Sequence, residues 1–194
     1  RGNTVASPRH HTLRAMLDWS HDLLSVQAQT LLRRLSVFAG SFTLEAAEEV
    51  CASDGIAQAD VLDLLSDLVD KSLVGVERRQ VGTPRYRLLE TIRQYSQEQL
   101  ERAGETNPFE LRRAQWCLNL VARAEAGLRG AQQATWFEQL ESEHDNLRVG
   151  LSRASDPAMQ LQLATALFYF WSRRGYLSEG RRWLTLALGN AQSL

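Results

Sequence analysis

Between Asp60 and Leu100 the spacing of apolar positions changes twice, and these changes define the centre of the chain. Val61, Leu62, Leu64, Leu65, Leu68 and Val69 recur at helical spacing, which predicts a helix with one packed face. Asp60, Asp63, Asp67 and Asp70 fall on the opposite face. After Lys71 the pattern becomes extended through Leu73, Val74 and Val76. It then crosses a polar loop holding Gly82 and Pro84 and resumes as the alternation Arg85-Tyr86-Arg87-Leu88. That is the pattern of a β-hairpin. Helical periodicity returns from Glu90 through Ile92, Tyr95, Ser96, Gln99 and Leu100, and Gly104 stands where a helix would stop.

Upstream, residues 1–9 read as a polar linker. Thr12 then opens a helix to about Leu23, with Leu13, Met16, Leu17, Ser20 and Leu24 along one side. Ser25 caps a second helix through Leu31, Leu32, Leu35 and Phe38, stopped at Gly40. Thr43 caps a short third one through Ala46, Ala47, Val50 and Cys51, and Asp54-Gly55 turns into the Asp60 helix. Short helices followed by a helix, a hairpin and a closing helix make a winged helix, here placed at 10–104. From 105 to 194 no further strand is predicted. Asn107-Pro108 opens a helix with Leu111, Trp116, Leu118, Leu120 and Val121, and a break at 127–130 precedes a longer helix carrying Trp136, Leu140, His144, Leu147 and Leu151. Asp156-Pro157 opens a strongly apolar helix ending near Gly175, and Ser178 caps the last, from Arg181 to about Asn190. The fold class is therefore mostly α: a winged helix followed by a helical-repeat unit.

Composition narrows the functional classes. The 44% hydrophobic and 23% charged content is that of a folded globular chain, and the net charge of −1 announces neither a nucleic-acid stripe nor a membrane anchor. No stretch approaches the roughly 20 apolar residues that span a bilayer. Cys51 and Cys117 form no motif and read as reduced thiols of the cytoplasm. There is no initiator Met or signal pattern, so the chain reads as a piece of something longer. Catalysis finds little support. His10 and His11 sit in a loop, His21 near a helix end, and Glu141-x-x-His144 occurs once where a carboxylate-bridged metal centre needs it twice. The five tryptophans, Trp19, Trp116, Trp136, Trp171 and Trp183, read mostly as core.

The final helix pair resembles a tetratricopeptide repeat at Leu167, Trp171, Gly175, Leu177, Leu184, Ala187 and Leu188, and departs from that pattern at Phe168 and Gly180. A wider resemblance covers nearly the whole chain. RHHTLRAMLDWSHDLLS, LLRRLSVFAGSFTLEAAEEVC, LLSDLVDKSLVGVE, YRLLETIRQYSQEQL, FEQLESEHDNLR and RRGYLSEGRRWL are similar to the region after the NTPase core of bacterial STAND-class signal-transduction ATPases, found in LuxR-type and AfsR-type transcriptional regulators. The resemblance implies a winged helix followed by a tetratricopeptide-like sensor array. ATP or ADP would belong to the NTPase core, because no GxxxxGK[ST] loop occurs in this chain. In related NB-ARC proteins a Met-His-Asp motif ends the winged helix and its His touches ADP. Leu89 stands at that position here, in Leu88-Leu89-Glu90.

Two readings of function follow. In the first, the winged helix docks on the NTPase core and on an output domain, through Asp63, Asp67, Asp70, Arg78, Arg79, Arg85, Arg87 and Arg93. The repeats take a protein or small-molecule inducer near Tyr169, Arg173 and Tyr176. In the second, the winged helix binds DNA, with Arg78, Arg79, Arg85 and Arg87 tracking a backbone. The four carboxylates on the recognition helix oppose that reading, because DNA affinity depends on cations that displace counterions. No catalytic residue, metal ligand or cofactor is assigned to this chain.

Overall fold

The computed structural model describes residues 8–77, 83–154 and 156–192. The winged helix is built from α2 (Val26–Leu35), α3 (Leu44–Cys51), a 3-10 turn (Gln58–Asp60), α4 (Val61–Asp70), β1 (Gly75–Glu77), β2 (Arg85–Arg87) and α5 (Glu90–Arg102). It is preceded by α1 (Pro8–Asp22). The strands pair antiparallel with Val76 opposite Tyr86. Phe42 adds a one-residue third strand, exchanging two 2.8 Å backbone bonds with Tyr86.

Local chemistry sets several helix ends as the sequence predicts. The Ser25 hydroxyl accepts from the Ala28 N–H at 3.2 Å and the Thr43 hydroxyl from Ala46 N–H at 3.2 Å. The Asp156 carboxylate accepts from Ala158 N–H at 2.9 Å ahead of Pro157. Ala28, Leu31 and Leu35 of α2 meet Ala47 and Val50 of α3 and Leu65 and Leu68 of α4 in a sealed core. Ser72, at a φ of 59°, turns the chain from α4 into the hairpin through its 2.8 Å bond to the Val69 carbonyl.

The second unit comprises α6 (Thr106–Gly127), α7 (Gln133–Ser142), α8 (His144–Ser152), α9 (Pro157–Arg174) and α10 (Leu177–Ala191). Several expectations need correction, among them the second helix, which ends at Leu35 and not at Gly40. The first helix starts at Pro8, ahead of Thr12. Helix α6 begins at Thr106 behind Glu105, so Asn107-Pro108 lies inside its first turn. The Glu105 carboxylate accepts from Arg33 Nε at 2.6 Å and Arg34 Nη2 at 3.0 Å, an attachment to α2 that has no local signature. The long helix through Trp136 and His144 is broken at Glu143, whose side chain turns into the interface described below. Helix α10 begins at Leu177, with Ser178 already inside it. Trp19 also departs from the core reading, being 67% exposed.

Within the α9–α10 pair, Leu167, Trp171 and Ala187 are buried, whereas Leu177 and Leu188 face solvent. Gly175 ends α9 at a φ of 82°, in the left-handed region that glycine enters without penalty. Gly180 has a packing cause: a Cβ there would stand 2.9 Å from Cε3 of Trp171, so the indole occupies the space an alanine would need. Alanine is ordinarily favoured over glycine in a helix by about 1 kcal/mol. Gly180→Ala is nevertheless expected to destabilise, by about 1–2 kcal/mol of overpacking, seen as a Tm several degrees lower in a thermal melt.

Candidate interaction surfaces of the winged helix and the helical unit

Helix α4 is the second helix of the helix-turn-helix and presents its outer face to solvent. Asp60, Asp63 and Asp70 are exposed there, Asp67 is half-exposed, and Leu62 and Ser66 lie among them. Lys71, the one cation on this face among the described residues, is already paired with Asp67 one turn back. Helix α3 adds Glu45, Glu48 and Glu49, which with Glu138 and Glu143 line an open cleft of about 550 Å³ between the two units. Both helices of the helix-turn-helix thus present carboxylates to their surroundings.

The arginines predicted on and after the wing separate into distinct environments. Arg78 and Arg79 lie outside the described residues. Arg87 pairs across the hairpin with Glu77 at 2.8 Å, and Arg93 holds Glu90 through two bonds of 2.8 and 2.9 Å. Arg85 is interior: its side chain is 4% exposed and Nη1 donates to Glu143 Oε1, itself 3% exposed, at 2.6 Å. Its Nε donates to Ser41 Oγ and Nη2 to the Ser41 carbonyl, both at 2.7 Å, and Nη2 also reaches the Ser142 carbonyl at 3.1 Å. The guanidinium therefore locks the wing to the α7–α8 corner and is withdrawn from the outer surface. Each of these three described arginines carries its own carboxylate.

Arg85 is one of several ties between the units. Asn146 Nδ2 donates to the Ser41 carbonyl and to Glu143 Oε2, while its Oδ1 accepts from Ala39 N–H at 2.9 Å. Arg112 donates to the carbonyls of Glu49, Val50 and Ala52, closing the C-terminal end of α3 with a cation as the helix dipole favours. Phe38 and Trp116 meet perpendicular to each other at a centroid distance of 5.8 Å. One hydrophobic core runs through both units. Burial pushes Glu105 up, but the bonds to Arg33 and Arg34 outweigh it and hold the carboxyl below its ordinary range. Sequence inspection missed Glu143, Asn146, Arg112 and Trp116 as interface residues because their partners lie tens of positions away and leave no periodic trace.

On the helical unit the structure brings Tyr169 and Arg173 together. The guanidinium carbon of Arg173 stands 5.3 Å from the Tyr169 ring centre, and that of Arg129 stands 6.0 Å from it. The Tyr169 ring stacks on Phe137 at 6.2 Å. Tyr176 connects to this pair through Phe137 and Phe170, and is itself engaged by His144 at 4.5 Å and by Glu141, which accepts its hydroxyl proton. That bond, with burial, pushes the phenol up.

His144 serves packing. Its ring meets Phe170 edge-on at 5.3 Å and its Nε2 lies 3.2 Å from Glu179 Oε1. Burial pushes the imidazole down, against the opposing pull of Glu179. Cys51 and Cys117 are free and buried, and burial pushes both thiols up to about 12. They are neutral at physiological pH. Among the described residues no three of His, Cys, Asp and Glu are grouped to hold a metal, and no helix is long and apolar enough to cross a membrane.

The fold and these surfaces define a winged helix joined through a packed, ion-paired interface to a helical-hairpin unit. Residues 24–101 match the family described as "Winged helix-turn-helix domain", and the chain carries that domain. It is 40% identical over 186 residues to "Putative HTH-type transcriptional regulator Rv0890c" of Mycobacterium tuberculosis, covering 94% of this chain and 21% of that protein. The same figures hold for "Putative HTH-type transcriptional regulator Mb0914c" of Mycobacterium bovis. "Uncharacterized protein Rv0894" of Mycobacterium tuberculosis is 43% identical over 107 residues, 55% of this chain and 26% of that protein. The chain spans about a fifth of the length of the first of these relatives. No solved structure matches it.

Proposed function

We propose that this chain is a non-catalytic part of a transcription regulator, in which the winged helix docks on protein and the helical unit receives a protein or small-molecule signal. The observation that carries the reading is the outer face of α4, with four carboxylates and a lysine already paired to one of them. A duplex would meet that face with like charge. A cationic protein surface would meet it with opposite charge, which steers association and fixes orientation. The resemblance to STAND-class ATPases suggests the partners: a nucleotide-switched core that would hold ATP or ADP, and an output domain acting in the cytoplasm. The packed interface supports transmission, because a movement of the helical unit carries the winged helix with it.

A second reading, that the winged helix binds DNA, is favoured by the family match over residues 24–101 and by the printed names of the relatives. Fluorescence anisotropy of a labelled duplex, titrated with the chain as salt is raised, separates the two. On the docking reading the affinity at low salt is weaker than about 0.1 mM, the lower end of ordinary non-specific binding. Replacing Asp63, Asp67 and Asp70 together with lysine creates binding that falls steeply with salt. Micromolar binding by the unaltered chain, with a steep salt slope, would select DNA binding instead.

A further inference from the structure

A second cavity, of about 340 Å³, has the reverse character of the acidic cleft. Its walls come from the end of α2 and from α5 on one side, and from α6 and α8 on the other. Three arginines, Arg93, Arg113 and Arg153, are among its lining residues, with one acidic residue, Glu110. Glu110 is paired with Arg153, and Arg93 is held by Glu90. Arg113 makes no ion pair of its own, and the carboxylate that acts on it is Glu110, three residues back on α6 and already paired with Arg153. Arg113 is 1% exposed, Nη1 donates to the Val37 carbonyl at 2.9 Å and Nη2 to the Val149 carbonyl at 3.2 Å. Its buried Nε has no hydrogen-bond partner among the described residues.

A buried charge is normally paired, because removing it from water costs far more than neutral carbonyl contacts return. Burial also lowers the hold of Arg113 on its proton. Arginine nevertheless stays protonated in proteins, so the charge remains and calls for an anion. The fork of a guanidinium matches the two oxygens of a carboxylate or phosphate, and the cavity is large enough for a small ligand carrying such a group.

The geometry points to a binding site for a small oxyanion at the junction of the winged helix and the helical unit, held by Arg113 and Arg153. The hydroxyls of Thr106 and Ser152 at the same wall supply further polar contacts. A ligand seated there touches both units and braces one against the other, so its binding stabilises the joined state. This inference rests on the cavity alone and stands whether the winged helix docks on protein or on DNA.

The test uses inorganic phosphate and, separately, succinate, each titrated against the chain at an ionic strength held constant with chloride, with Tm and calorimetric heat as readouts. At least one of the two raises Tm saturably above the chloride control, and the stronger one identifies the group as phosphate or carboxylate. Arg153→Gln, a change at a half-exposed position, weakens that binding about tenfold, the loss of one charge-assisted contact. Arg181→Gln, on the exposed start of α10, leaves it unchanged. Arg113→Met abolishes it, and if that variant fails to fold the Arg153→Gln result decides. Equal Tm shifts with chloride, or an unaltered affinity in Arg153→Gln, would overturn the site.

Discussion

Arg85→Leu destabilises the chain by about 3–5 kcal/mol, the cost of leaving one member of a buried ion pair without its partner. The substitution strands Glu143 at 3% exposure and removes the bonds to Ser41 and Ser142 that hold the wing against the α7–α8 corner. Urea unfolding reads the change as a lower midpoint at a similar slope. The double variant Arg85→Leu/Glu143→Leu recovers a large part of the loss, because two apolar side chains leave no unpaired charge in the interior. Arg87→Leu is the informative comparison. Its pair with Glu77 is solvent-exposed and contributes about 0–1 kcal/mol, so the two wing arginines differ several-fold in effect although they alternate in one strand. Equal effects for the two would mean that the Arg85 interface is not formed in solution.

Trp116→Ala removes an aromatic contact between the units and costs about 3–5 kcal/mol. The indole is buried on α6 perpendicular to Phe38, which in turn stacks on Phe42 at 4.7 Å. Unfolding of the intact chain, followed by far-ultraviolet circular dichroism and by fluorescence of the remaining tryptophans, is expected as one coincident transition. In the variant the whole transition moves to lower denaturant. Two separated transitions in the intact chain would show instead that the winged helix and the helical unit fold independently, and the transmission proposed above would lose its physical basis.

These two residues also show where sequence reading stops. Val61, Leu65 and Leu68 recur every three to four positions, and that rhythm is enough to place α4 with its buried face inward and its aspartates outward. Ser25, Thr43 and Asp156 announce helix starts because a cap bonds backbone two or three residues away, a distance within any local window. Glu105 gave no such signal: its carboxylate serves Arg33 and Arg34, over 70 positions earlier. The break at Glu143 was equally invisible, since the partner of that side chain, Arg85, lies 58 positions upstream. Arg85 and Arg87 read alike in sequence, two cations flanking Tyr86, and only the approach of α8 makes one interior and the other exposed.

The candidate surfaces divide in the same way. The acidic face of α4 is a property of helical spacing and needs no partner to be seen. The oxyanion cavity depends on Arg93 of α5, Arg113 of α6 and Arg153 just past α8, and a single helical period cannot bring them together. Tyr169 and Arg173, one turn apart on α9, could be paired from spacing, whereas Arg129 joins them only through folding. By itself the sequence determined the hairpin and most helices in their order, the buried faces of α2, α3 and α4 and the charge of the recognition helix, because these follow from interactions within a few residues along the chain. The tertiary structure decided which charges are buried, where a long helix breaks and where the units interlock, because those outcomes depend on the cost of desolvating particular groups once distant segments meet.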